Sequence, residues 1–284
     1  MRMKNVSMAM TIAGSDCSGG AGVQADIKTM SALGVFASSC ITALTCQNTM
    51  GVTDIMAVKD TIVRGQIDAV LSDLPIKSVK IGMLFNSDIC KSVSEALRTN
   101  NFCGTVVLDP VMVATSGSNL ASESLRDAMI KYLFPLSTLI TPNLHEAEVL
   151  AGCEEIRCEK DMLRAGKKIL SLGAKAVLVK GGHLEEENLK NLLIRNQNGN
   201  MVVEEFVSKK VNSRNTHGTG CSLSSAIASF CALGCSLSEA VAKATDFVHD
   251  AIVNAQDVFL GEGHGSLNHF FNPQKLYINE SNGK

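Results

Sequence analysis

A chain of 284 residues, 45% of them hydrophobic, carries enough apolar material for a large core, which excludes disorder as its main character. Its formal charge of −2 arises from interspersed acids and bases, so it offers neither a basic field for nucleic acid nor a polybasic surface for a membrane. A small molecule is the expected partner. No apolar run reaches the roughly 18 residues of a membrane span, and a soluble protein is expected. Ten cysteines without a C-x-x-C pair argue against structural zinc and a thioredoxin-type site. With no charged segment leading into an apolar one at the start, reduced thiols in a cytoplasm are expected.

In chain order, short β-branched runs alternate with amphipathic stretches, the pattern of a parallel sheet covered by helices. Ala9 to Gly14 reads as a strand, Gln24 to Leu33 as a helix closed by Gly34, and "ASSCITALTCQ" as the next strand. "TDIMAV" reads as a short edge strand. In "DTIVRGQIDAVLSDL", Ile62, Val63, Ile67, Val70, Leu71 and Leu74 share one helical face. "SVKIGM", "TVVLDPVMV", "STLITPN" and "AKAVLVKGG" are buried strands ending in polar or glycine clusters. Asn198 and Gly199 form the turn of a hairpin that adds antiparallel edge strands. Two helices follow, Cys221 to Leu233 closed by Gly234, and one opened by a Ser236 to Glu239 capping box. The expected organisation is one α/β domain over residues 1–272 and a disposable tail over 273–284.

Ligands of open parallel sheets bind beyond the carboxyl ends of the strands, which directs attention to the loops there. "GSDCSGGAGVQAD" lacks the Lys and Ser/Thr of a P-loop, having Gly20 and Ala21 in those places. "GAGVQA" matches a dinucleotide fingerprint, but no acid lies between Ile27 and Thr53 to hold a ribose. In "NTHGTGCSLSSAIASF", Gly218 and Gly220 let successive N–H groups, that of Cys221 included, point at one spot at a helix N-terminus. The same residues also suit an ordinary helix start with a buried thiol.

"TIAGSDCSGGAGVQADIKTMSALG", "TALTCQNT", "IGML", "VLDPVMVATSG", "LITPNLHEAEVLAG", "VLVKGGHL" and "NTHGTGCSLSSAIA" occur in this order between about Ala9 and Ile252. Together they resemble the hydroxymethylpyrimidine/phosphomethylpyrimidine kinases of thiamine biosynthesis, a branch of the ribokinase-like superfamily. The resemblance implies a ribokinase-like α/β fold: a mostly parallel central sheet, helices on both faces and a small antiparallel edge. It also implies ATP and magnesium as cofactors, with room for a monovalent cation, a pyrimidine substrate phosphorylated twice, and a cytoplasmic homodimer.

By the same resemblance, Cys221 stands where the wider superfamily has an aspartate base, with Gly218 and Gly220 shaping the anion hole. A helix N-terminus can lower a thiol from about 8.5 toward neutrality, so a thiolate base and a purely backbone role are both open. Gly14, Asp26, Gln47 and Met83 are expected around the pyrimidine, and an amide such as Gln47 matches an aminopyrimidine edge. Asn143, Lys180 and Thr219 are expected at the nucleotide. Glu146 and Asp109 are expected at magnesium, which takes few carboxylates beside phosphates and water. His217 either approaches phosphate or caps locally. Thr115 and Ser118 depart from the Lys and the acid of many relatives. Pyridoxal kinases share this framework but are expected to carry an apolar residue at the Gln47 position. A silent pyrimidine-binding protein and a thiol enzyme are the readings from other classes.

Overall fold

Strand and helix alternate along the chain because each short β-branched run can bury its faces only beneath the helices that follow it. The computed structural model describes residues 5–112, 123–182 and 188–279. In chain order the strands are β1 (Asn5–Val6), β2 (Met8–Asp16), β3 (Phe36–Asn48), β4 (Gly51–Ala57), β5 (Ser78–Ile81), β6 (Thr105–Leu108), β7 (Leu139–Ile140), β8 (Ala176–Lys180), β9 (Asn188–Gln197), β10 (Asn200–Lys209) and β11 (Ile278–Asn279). The helices are α1 (Gly22–Ala32), α2 (Asp60–Asp73), α3 (Ser87–Thr99), α4 (Glu123–Ala128), α5 (Leu144–Ala151), α6 (Glu159–Ser171), α7 (Thr219–Ala232) and α8 (Leu237–Val253).

Among the described residues, nine strands form one sheet in the order β10-β9-β8-β7-β6-β5-β2-β3-β4. The centre from β3 to β8 is parallel, while β4 at one end and β9 with β10 at the other run antiparallel. The expected antiparallel edge is therefore present at both ends. Asn198 and Gly199 take φ of 53° and 82°, the left-handed pair that a two-residue hairpin turn requires. One apolar layer packs α2 to α6 on the sheet; the other packs α7 and α8, with the end of α1 beside them. From β2 the chain goes to β3 on one side, and β5 then pairs with β2 on the other. That reversal opens a crevice beyond the end of β2.

The expectation for α2 is corrected. On α2 only Val63 and Ile67 are fully buried and Ile62 is 56% exposed, because the helix meets the sheet near its edge and α3 on one flank. After residue 272, Gln274 and Tyr277 donate backbone N–H bonds to Ala32 and Gly34 at 2.7 and 2.8 Å, and β11 pairs with β1. Thr115 and Ser118 lie outside the described residues.

Candidate active site

The loops after the parallel strands and the start of α7 line a cavity of about 1350 Å³. Gly14, Gln47, Met83, Asp109, Asn143, Glu146, Lys180, Gly218, Thr219, Gly220 and Cys221 all reach it, as do Asp16, Thr45 and His217. Gly14 lies against Met83, since a Cβ there would come 3.1 Å from the Met83 sulfur. A register shift in the β3–β4 pairing between Cys46 and Gln47 re-aims the Gln47 side chain toward the cavity.

Asp26 is not among the residues that line the cavity. It is fully buried beneath the cavity, where its carboxylate accepts from Thr11 Oγ1 at 2.5 Å, Ser225 Oγ at 2.7 Å and Lys80 Nζ at 2.8 and 2.9 Å. Asp26 occupies a helical position whose side chain faces the sheet and α7, so these partners take up its oxygens.

At the other end of the cavity, Lys180 at the end of β8 places its ammonium 2.8 Å from Asp109 Oδ1 and 4.0 Å from Glu146 Oε2. Thr141 Oγ1 donates to the same Asp109 oxygen at 3.1 Å. Asn143 and Glu146 form a reciprocal capping box on α5: each side chain accepts the other's backbone N–H at 2.8 Å. Burial pushes the Glu146 carboxyl up to about 7 despite the Lys180 charge, and Asp109 adds to the rise. Burial works against the Lys180 charge, but Asp109 and Glu146 outweigh it and hold the ammonium above its ordinary range.

Between these ends stands the first turn of α7. Its N-cap, Gly218, has φ of 83°, and a Cβ there would come within 1.9 Å of the Gly20 carbonyl oxygen, so the turn admits only glycine. The first N–H groups of a helix have no intrahelical acceptor, which leaves those of Gly220 and Cys221 as anion donors. Gly220 abuts the Lys180–Asp109 pair, its virtual Cβ lying 3.2 Å from the ammonium. Thr219 Oγ1 donates to the Thr216 carbonyl at 2.6 Å and keeps lone pairs free of that bond.

The Cys221 thiol does not follow the helix-dipole expectation. Burial pushes it up to about 11, and the nearby Lys80 charge and the Gly22 N–H offset that only in part. It is a neutral thiol at physiological pH.

The sequence reading missed Asp16 and Thr45. Asp16 Oδ1 accepts from the Ser18 N–H and hydroxyl at 2.9 and 2.7 Å; Oδ2 accepts from the Ala21 N–H at 2.8 Å and lies 2.9 Å from His217 Nε2. An aspartate two residues after Gly14 in a glycine loop was the available signal. The "GEGHGS" stretch folds over the β3–β4 turn: Gly261 and Gly263 pack against Thr49, and His264 N–H donates to its carbonyl at 3.0 Å.

Among the described residues no helix is long and apolar enough to cross a membrane. A family model described as phosphomethylpyrimidine kinase matches residues 16–268. The hydroxymethylpyrimidine/phosphomethylpyrimidine kinase of Rhizobium meliloti is 45% identical over 264 residues, covering 93% of this chain and 97% of that protein. Among solved structures, the Staphylococcus aureus pyridoxal kinase in complex with AMP-PCP and pyridoxal superposes with a TM-score of 0.85 at 30% identity, over 97% of each chain. The phosphomethylpyrimidine kinase of Clostridium difficile 630 gives a TM-score of 0.71 at 41% identity, over 87% of this chain and 98% of that one. The fold is ribokinase-like, as the reading of the motifs implied, and the chain belongs to the phosphomethylpyrimidine kinase family.

Proposed function

We propose that this chain uses ATP to phosphorylate the hydroxymethyl group of 4-amino-5-hydroxymethyl-2-methylpyrimidine, and then phosphorylates the monophosphate. The observation that carries the reading is one cavity with an amide-bearing end at Gln47, a cationic end at Lys180, and the anion-binding turn Gly218–Cys221 between them. Phosphoryl transfer is mostly positioning and charge neutralisation, and those are the services this arrangement offers.

Gly14, Gln47 and Met83 would hold the pyrimidine, and Asn143, Lys180 and Thr219 would lie along the nucleotide. Asp109 and Glu146 fit magnesium: both are buried carboxylates in the cavity wall, and oxygen donors of this kind suit that ion. Among the described residues no three His, Cys, Asp or Glu side chains converge as an all-protein cage, which suits an ion that keeps phosphates and water as ligands. When bound it would neutralise phosphate oxygens. A neutral Cys221 thiol leaves the backbone N–H groups as the main service of that turn, and the alcohol proton passes to a phosphate oxygen of ATP in concert with attack. The second transfer starts from a phosphate oxygen and needs no strong base.

The Staphylococcus aureus pyridoxal kinase that superposes so well supports a second reading, phosphorylation of pyridoxal. Gln47 weighs for the pyrimidine. A coupled ATPase assay with hydroxymethylpyrimidine, its monophosphate and pyridoxal side by side decides between them: turnover of both pyrimidines is expected, and a preference for pyridoxal refutes the assignment.

A further inference from the structure

The Gln47 amide sits between two neighbours that each restrict how it can face. Its nitrogen lies 3.1 Å from His217 Nε2 and its oxygen 3.1 Å from Thr45 Oγ1. His217 Nε2 also lies 2.9 Å from the Asp16 carboxylate, which only accepts, so Nε2 carries a proton and donates. Asp16 stays ionised: burial opposes its charge, but His217, Ser18 and Ala21 more than offset this and hold it well below the usual carboxylate range. Two donors, the amide nitrogen and Nε2, would then face each other. At the opposite end, the one Thr45 hydroxyl proton has two acceptors in reach, the Ser15 carbonyl at 2.9 Å and Gln47 Oε1 at 3.1 Å, so one of them goes without it.

A half-turn of the amide about its terminal bond relieves both ends: its oxygen then faces the His217 N–H, whose one proton is shared with Asp16, and its nitrogen donates to Thr45 while Thr45 donates to Ser15. The two neighbours are independent of each other, and they demand the same orientation.

From this geometry we infer that His217, held by Asp16, and Thr45 are positioning residues that fix which way Gln47 presents its amide, and hence how the aminopyrimidine is selected and oriented. The inference rests on the pyrimidine reading above. In the fixed orientation, Gln47 offers the cavity an acceptor on the His217 side and a donor on the Thr45 side. The exocyclic amine of the substrate then lies toward His217 and the neighbouring ring nitrogen toward Thr45. In the proposed substrate the amine carbon stands between that ring nitrogen and the carbon bearing the hydroxymethyl group. Continued along the ring edge, the order delivers the hydroxymethyl beyond His217, toward Gly218 and the anion-binding turn that follows it in the chain. The opposite amide orientation would point the reacting group away from that turn.

The test uses two ligands that differ in donor and acceptor order: the 4-amino hydroxymethylpyrimidine, and its 4-oxo analogue with a carbonyl and a ring N–H in those places. Calorimetric Kd values and kcat/KM are measured for both, together with KM for ATP. His217→Phe keeps a ring against Gly20, Thr45→Val keeps the shape of the threonine, and the double variant removes both restrictions. Wild type is expected to favour the 4-amino ligand strongly. Each single variant is expected to cut the amino-to-oxo ratio about tenfold, and the double to bring it near parity, with KM for ATP within about twofold of wild type. A residue of merely structural importance would weaken both ligands alike. An unchanged ratio in either folded variant, or a wild type that prefers the 4-oxo ligand, overturns the assignment. Selective binding of the amino ligand by wild type without its phosphorylation would instead refute the kinase reading and leave the amide assignment standing.

Discussion

At Cys221 two environments compete: a helix N-terminus that favours a thiolate, and burial that disfavours any charge. Burial wins, and the thiol is pushed up to about 11. At pH 7 to 8 such a group holds its proton almost completely, so it cannot be the source of a rate that rises through neutrality. Cys221→Ser keeps the backbone N–H and the size of the side chain. It is expected to keep kcat within about tenfold of wild type, with the pH–rate profile between 6 and 9 unchanged in shape; loss of a general base would cost roughly a hundred- to ten-thousand-fold. A profile that changes shape in that range would restore the base role. The anion-binding turn was legible in the sequence because two glycines before an apolar helical run carry a geometric meaning of their own. The state of the thiol was not, because it depends on how deeply Lys80, Asp26 and Asp109 lie around it, and those come from three other elements.

α7 carries this turn, and its serine hydroxyls find partners both within the helix and outside it. Ser224 Oγ bonds the Gly220 carbonyl at 2.9 Å, Ser229 Oγ donates to Ser225 O at 2.7 Å, and Ser222 meets His269 Nε2 at 2.8 Å. His269 is 1% exposed, and burial, with the Lys28 charge nearby, pushes it down to about 4 from an ordinary 6.5. The unfolded chain therefore binds more protons than the native one between pH 4 and 6.5, and stability rises with pH across that window. The contribution is complete above pH 6.5 and lost as pH falls toward 4. A shift of this size corresponds to about 3 kcal/mol. Urea unfolding at pH 7 and pH 4 is expected to show a smaller acid loss in His269→Gln than in wild type, by an amount of that order; equal losses would place the acid sensitivity elsewhere. Capping boxes are legible at this scale from spacing alone, as Ser236 with Glu239 shows. Asn143 with Glu146 has the same spacing, and there one pair of residues both starts a helix and faces the cavity.

Across the whole molecule, the segments that form the cavity are tied together by one buried ion pair. Lys80 from β5 and Asp26 from α1 are both fully buried, and Asp26 also takes Thr11 from β2 and Ser225 from α7. β2 carries Gly14, β5 leads to Met83, and Ser225 stands one turn beyond Cys221. The alternation of strands and helices, and with it this convergence of loops, could be read from hydrophobic period. The ion pair could not, because an acid in the first turns of a helix looks the same whether it faces the cleft or the interior, and Lys80 sits between Val79 and Ile81 in a four-residue strand. Replacing a buried pair by apolar groups is often neutral, whereas removing one partner strands the other charge at a cost of about 3–5 kcal/mol. Lys80→Met is thus expected to lower unfolding free energy by that amount, because Asp26 keeps its two hydroxyl donors but loses its counter-charge. In Lys80→Met combined with Asp26→Asn, no net charge is left buried, and much of the loss is expected to return. A double-mutant cycle in urea measures the coupling directly, and additive losses from the two single variants would show that the ammonium and the carboxylate do not depend on one another for burial.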